Sequence, residues 1–195
     1  MYMTKPPFFA PWIYPEAIFE RKSGDKKLLL TFDDGPHPEL TPQVLEILAK
    51  HDLKATFFCL GERAEQYPEI IKMIRTQGHD IGNHGYQHLD GWQTDFNTYI
   101  QNTEKGKAIT QSPLFRPPYG RLSPRQYHHL KKENQIIFWN LMLFDFDKNF
   151  TVERALKLAR KNLNPSSIIV LHDNEKAGEN MINLLKPLIE LINNI

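Results

Sequence analysis

Residues 27–38 read KLLLTFDDGPHP. A short apolar run ends in two adjacent carboxylates, Asp33 and Asp34, and the chain then turns at Gly35-Pro36. Taken alone, the acidic pair reads as a polar turn, because Asp and Gly are common turn formers. Two like charges so close nevertheless raise the pKa of one of them unless a cation sits between them. Fold and chemistry both depend on what the rest of the chain brings to this strand end.

Working outward, five further apolar runs read as strands: ATFFCLG (55–61), HDIGNH (79–84), LFRPP (114–118), QIIFWNLML (135–143) and SSIIVLH (166–172). Helical patterns separate them at 41–51, 62–77, 94–110, 123–133, 151–162 and 179–193. In the first, Val44, Leu45, Ile47 and Leu48 recur at helical spacing, with Thr41 placed to cap and Pro42 in the first turn. The second stops before Gly78. Strands that are apolar almost throughout, alternating with amphipathic helices, predict a parallel sheet of six or seven strands covered by helices. Residues 1–24, with Pro6, Pro7, Pro11 and Pro15, read as an irregular arm. Residues 25–195 read as a single α/β domain.

Composition agrees with that division. A chain of 195 residues, 41% hydrophobic and 24% charged, suits one domain with a sizeable core. The formal charge of +1, from 24 basic and 23 acidic residues, leaves no electrostatic basis for binding nucleic acid or an anionic membrane. No stretch approaches the roughly 18 apolar residues of a membrane span. Residues 1–19 mix aromatics with prolines and lack the apolar core of a signal peptide, so a cytoplasmic location is expected, with export by another route as the alternative. The single cysteine, Cys59, lies inside an apolar run and reads as a core residue, not a nucleophile.

In parallel α/β folds reactive groups gather at the C-terminal ends of strands. Asp33, Asp34, His84, Arg116 and His172 all fall there. His84 and His88 stand four apart, and on a helical turn that spacing puts both rings on one face. Two imidazoles and a carboxylate form a facial metal site, with Asp34 as the candidate third ligand. Each motif has a plainer reading alone: loop histidines, a proline turn with a surface Arg116, a structural strand-end His172. Arg116 has a forked guanidinium suited to holding a carboxylate, and His172 titrates near neutrality.

In their order, TFDDGP, HGYQH, RPPYG and LHD resemble the polysaccharide deacetylase family, also called carbohydrate esterase family 4 or the NodB-homology domain. The resemblance implies an irregular (β/α) barrel. It implies that Asp34, His84 and His88 bind one divalent metal ion, usually zinc. Asp33 would be the catalytic base, Arg116 would hold it, and His172 would be the catalytic acid. A backbone N–H near Tyr119 would help bind the oxyanion, and Leu171 would line the acetyl-methyl pocket. The implied reaction removes acetyl groups from an N-acetylated carbohydrate, leaving acetate and a free amine.

Two departures from the family pattern carry expectations of their own. Gly85 stands where Ser or Thr usually follows the first ligand His, so a looser ligand loop is expected. In MLFDF (142–146), Met142 occupies the place of the Asp that partners the catalytic His, and Phe146 the place of a Trp. His172 is therefore expected to lack its usual support, with Asp145 and Asp147 in a solvated loop. Deacylation of another small amide or formyl group, or a catalytically weak carbohydrate-binding module, are the competing readings.

Overall fold

The structure, a computed structural model, describes residues 4–21 and 29–194. The expected boundary at 24/25 and the start of the first strand at Lys27 lie outside the described residues. Seven parallel strands form one sheet among the described residues: β1 (Leu30–Asp33), β2 (Thr56–Cys59), β3 (Asp80–Asn83), β4 (Leu114–Phe115), β5 (Gln135–Ile136), β6 (Leu141–Met142) and β7 (Ile169–His172). Their order is β5-β4-β3-β2-β1-β7-β6, which puts β1 and its acidic end near the centre.

The run QIIFWNLML, expected as one strand, is two. Its first part pairs with β4 and its second with β7, so one segment belongs to both edges of the sheet. A flat seven-stranded sheet would hold its edges about 29 Å apart. Five chain steps from Ile136 to Leu141 reach at most about 18 Å. The sheet must therefore curl into a half-barrel, in keeping with the irregular barrel that the resemblance implies.

The N-terminal arm reinforces this closure. It contains a short helix, α1 (Ala10–Ile13), and then pairs in parallel at Ile18 with Ile137. Backbone bonds tie Ile18 to Ile136 and Phe138, Arg21 to Ser166, and Thr4 to Met142. Both sheet edges are thus covered by the arm, which satisfies edge groups that would otherwise be unpaired. Tyr14 and Phe19 stack on Phe138 at ring separations of 5.3 and 4.8 Å.

The helices are α2 (Leu40–Lys50), α3 (Gly61–Gln66), α4 (Pro68–Thr76), α5 (Phe96–Thr110), α6 (Pro124–Leu130), α7 (Val152–Asn162) and α8 (Gly178–Ile192). The single helix expected over 62–77 is broken at Tyr67 (φ −126°, ψ 59°). Pro68 excludes its predecessor from the α region and lacks the N–H that would continue the ladder. Helix α2 starts at Leu40, and Thr41 does not cap it. His37 Nδ1 instead accepts from the N–H groups of Glu39 and Leu40, while the Thr41 hydroxyl donates to Asp173.

Strand alternation separates two cores. Leu30, Phe32, Ile169 and Leu171 pack with Cys59, α2 and α8 on the helix-covered face. Val170, Phe58, Phe115 and Phe138 pack in a second cluster with the arm's Tyr14. Cys59 is buried as expected, and burial pushes its thiol up. Among the described residues no helix is long and apolar enough to cross a membrane.

Phe138→Ala removes the ring on which the arm stacks and leaves a cavity at the closure. The expected loss of stability is about 3–5 kcal/mol, measured by urea unfolding, with faster proteolysis of residues 1–21. A loss below about 1 kcal/mol, the scale of an ordinary surface substitution, would show that the closure does not depend on this ring.

Candidate active site

Parallel pairing places Asp33 beside His172, the last residues of neighbouring strands β1 and β7. Alternation then sends both side chains to one face, together with Thr31 and Val170. Asp34 follows in the left-handed region, φ 74°. This backbone is uncommon for a residue with a Cβ, and here it takes the second carboxylate away from the first. Gly35 has no substitute at its position, because a Cβ would lie 2.3 Å from the buried Asp173 carboxylate.

The cations expected for the acidic pair come from two directions. Arg116 is fully buried, and its Nη1 donates to Asp33 Oδ1 and to the Thr31 hydroxyl, both at 2.7 Å. Its Nη2 donates to the Phe138 carbonyl at 3.1 Å, and its guanidinium lies 4.1 Å from the Phe58 ring centre. Burial pulls the Arg116 pKa down, and the Asp33 carboxylate opposes that pull.

Asp34 faces the two histidines. Its Oδ1 lies 3.4 Å from His84 Nε2 and 3.2 Å from His88 Nε2. Its Oδ2 accepts from Asn174 Nδ2 at 2.7 Å. Burial opposes charge on Asp34, but the two imidazoles outweigh it and hold the carboxyl well below its ordinary range. His84 Nδ1 lies 2.8 Å from the Arg116 carbonyl, an oxygen that can only accept. The ring therefore donates from Nδ1 and turns Nε2 towards Asp34. Two imidazole nitrogens around a buried carboxylate oxygen on which no donor aligns, among the described residues, form an arrangement that a cation completes. The three ligand atoms lie within 4.8 Å of one another, and two nitrogens with one oxygen suit a divalent metal.

The stretch His84–His88 is a loop and not the expected helical turn. The expectation of a loose loop at Gly85 is also not met. Gly85 has φ 85°, and a Cβ there would lie 2.8 Å from Asn102 Nδ2. Asn102, on α5, binds Gln87 both ways, accepting from its N–H and donating to its carbonyl at 2.8 Å each. The backbone N–H of Gly85 donates to Asn83 Oδ1. Amide side chains hold the loop where a hydroxyl was expected.

A larger correction concerns His172. Asp145, expected in a solvated loop, is buried and accepts from the His172 backbone N–H at 2.6 Å. Its other oxygen lies 2.8 Å from His172 Nδ1. Phe144, left-handed at φ 55°, turns the chain immediately before Asp145. Asn180 on α8 donates to the Asp145 carbonyl at 2.8 Å. Burial lowers an imidazole pKa, but Asp145, helped by Asp34 and Asp33, reverses this and raises His172 to about 9. Met142, meanwhile, packs against the second core. Phe146 keeps the apolar wall, with its ring edge-on to His172 at 5.0 Å.

Tyr119 sits at the mouth, 59% exposed, with its ring 4.4 Å from that of His88. Leu171 does not join the site. It is fully buried in the helix-facing core, on the opposite face of β7 from His172. The apolar residue on the site's face is Val170. Asn174 was missed by the motif reading, and Asp145 was assigned to a solvated loop. Asn174's one signal was its place directly after LHD.

The sequence model described as polysaccharide deacetylase matches residues 20–135, more than half of the chain. The chain belongs to the polysaccharide deacetylase family. Among its relatives is a peptidoglycan-N-acetylglucosamine deacetylase of Bacillus cereus, 37% identical over 169 residues. That match covers 83% of this chain and 61% of the relative, so the chain spans under two thirds of its length. A chitooligosaccharide deacetylase of Azorhizobium caulinodans is 34% identical over 156 residues, covering 75% of this chain and 73% of that protein. The solved structure of the Bc1960 peptidoglycan N-acetylglucosamine deacetylase superposes with a TM-score of 0.87 at 29% identity, covering 97% of this chain and 91% of the other. The fold of that deacetylase thus extends over nearly the whole chain.

Asp145→Asn tests the His172 arrangement. Removing the carboxylate leaves burial as the stronger influence, so the His172 pKa should fall from about 9 towards or below its ordinary 6.5. Imidazole NMR titration of the metal-free protein reads this directly. An unchanged His172 titration would remove Asp145 as its partner.

Proposed function

We propose that the chain is a metal-dependent deacetylase that hydrolyses the N-acetyl group of a glycan, releasing acetate and a free amine. The observation that carries this reading is the division of the acidic pair. Asp34 is turned to two histidines, while Asp33 stays on Arg116 beside an Asp145-supported His172.

Asp34, His84 and His88 would hold one divalent ion, most readily zinc for a donor set of two imidazoles and a carboxylate. When bound, such an ion polarises the acyl oxygen and lowers the pKa of water. Asp33 would accept the proton of the attacking water, with Arg116 fixing the carboxylate in line. The water oxygen bonds to the acyl carbon, and collapse of the tetrahedral adduct breaks the C–N bond. His172, protonated and held through Nδ1 by Asp145, would give the Nε2 proton to the departing nitrogen. A backbone N–H near Tyr119 would donate to the developing oxyanion. The binding-module alternative rested on a His172 without support, and Asp145 removes that ground.

The test is acetate release from N-acetylglucosamine oligomers by the zinc-loaded protein. One free amine should appear per acetate, and chelation should stop turnover. Asp33→Asn should keep the metal and lower kcat by about 10²–10⁴-fold, the range for a positioned acid–base group. Undiminished turnover in Asp33→Asn would remove it as the base. Acetate release that survives complete metal removal would overturn the metal reading.

A further inference from the structure

We infer that Asn174 is a positioning residue that decides which oxygen of Asp34 meets the metal. The inference rests on the metal reading above. The orientation of the Asn174 amide is fixed from both ends. Its Oδ1 accepts from the Ala177 backbone N–H at 2.9 Å, so Nδ2 is the atom that donates to Asp34 Oδ2 at 2.7 Å. The other oxygen, Oδ1, is the one facing both imidazoles. With Oδ2 engaged, Asp34 offers a single oxygen to a cation, and the rest of the coordination sphere stays open for water and substrate.

Asp34 needs such a hold. Its left-handed backbone sets where the carboxylate starts but not how it rotates. Asn174 follows β7, the strand that carries His172, so the same chain segment places the candidate acid and steers the metal ligand. Outer partners of this kind change metal affinity by about 10–100-fold when removed.

Zinc affinity, measured by competition with a chromophoric chelator, tests the assignment in the wild-type chain, Asn174→Ala, Asn174→Ser and His84→Ala. Serine keeps an oxygen for the Ala177 N–H, since Ser and Asn side chains both make such local bonds to the backbone, but is too short to reach Asp34. Both Asn174 variants should bind zinc about 10–100-fold more weakly, with Asn174→Ser keeping the wild-type Tm. The visible absorption of cobalt-loaded Asn174→Ser should also weaken, as Asp34 swings to bind through both oxygens and the coordination number rises. Wild-type zinc affinity or an unaltered cobalt spectrum in Asn174→Ser would overturn the role of Asn174. Wild-type affinity in His84→Ala would instead overturn the metal reading itself.

Discussion

A guanidinium without solvent exposure holds this molecule together at the point where its chemistry is placed. Arg116 leaves the end of β4, reaches Asp33 and Thr31 on β1, and binds the Phe138 carbonyl in the segment that closes the sheet. Burying such a pair costs several kcal/mol per ion, and removing one partner typically costs about 3–5 kcal/mol. The pair is therefore tolerated where both terminal guanidinium nitrogens find acceptors, while Nε has no hydrogen-bond partner among the described residues. Those acceptors exist together only when β1, β4 and residues 137–140 are all in place. Closure of the barrel and orientation of Asp33 are one event.

The second carboxylate is governed separately. A left-handed Asp34 and a glycine pressed against Asp173 turn the chain so sharply that neighbouring residues face different partners. Burial pushes the Asp173 carboxyl up to about 7, and the Thr41 hydroxyl binds it from α2. Asn174 meets Asp34 from the same side. The segment after β7 thus packs against the acidic turn while the ligand loop meets it from β3. Two like charges can stand adjacent in sequence because their neutralising groups come from different strands.

Much of this was legible in the residues, for stated physical reasons. Strand ends were marked by apolar runs that stop at charged side chains, and those stops locate Asp33, His84, Arg116 and His172. Broken elements were harder. Pro68 was visible, yet the apolar spacing on either side of it reads as one helix. The run at 135–143 carries no break signal, because its two halves differ only in which edge they pair with. Leu171 was assigned by motif position, whereas strand alternation turns it to the helices. Asp145 was hidden most deeply: its contact depends on Phe144 in a conformation that bulky residues rarely adopt. Gly85 read as a loss, although the positive φ and the close Asn102 make glycine the residue that fits.

Anomalous diffraction from zinc-soaked crystals tests the division of the acidic pair most directly. The account predicts one strong peak bonded to Asp34 Oδ1, His84 Nε2 and His88 Nε2, with Asp33 outside the coordination sphere and still on Arg116. A peak bonded to Asp33, or zinc bound away from these histidines, would contradict it.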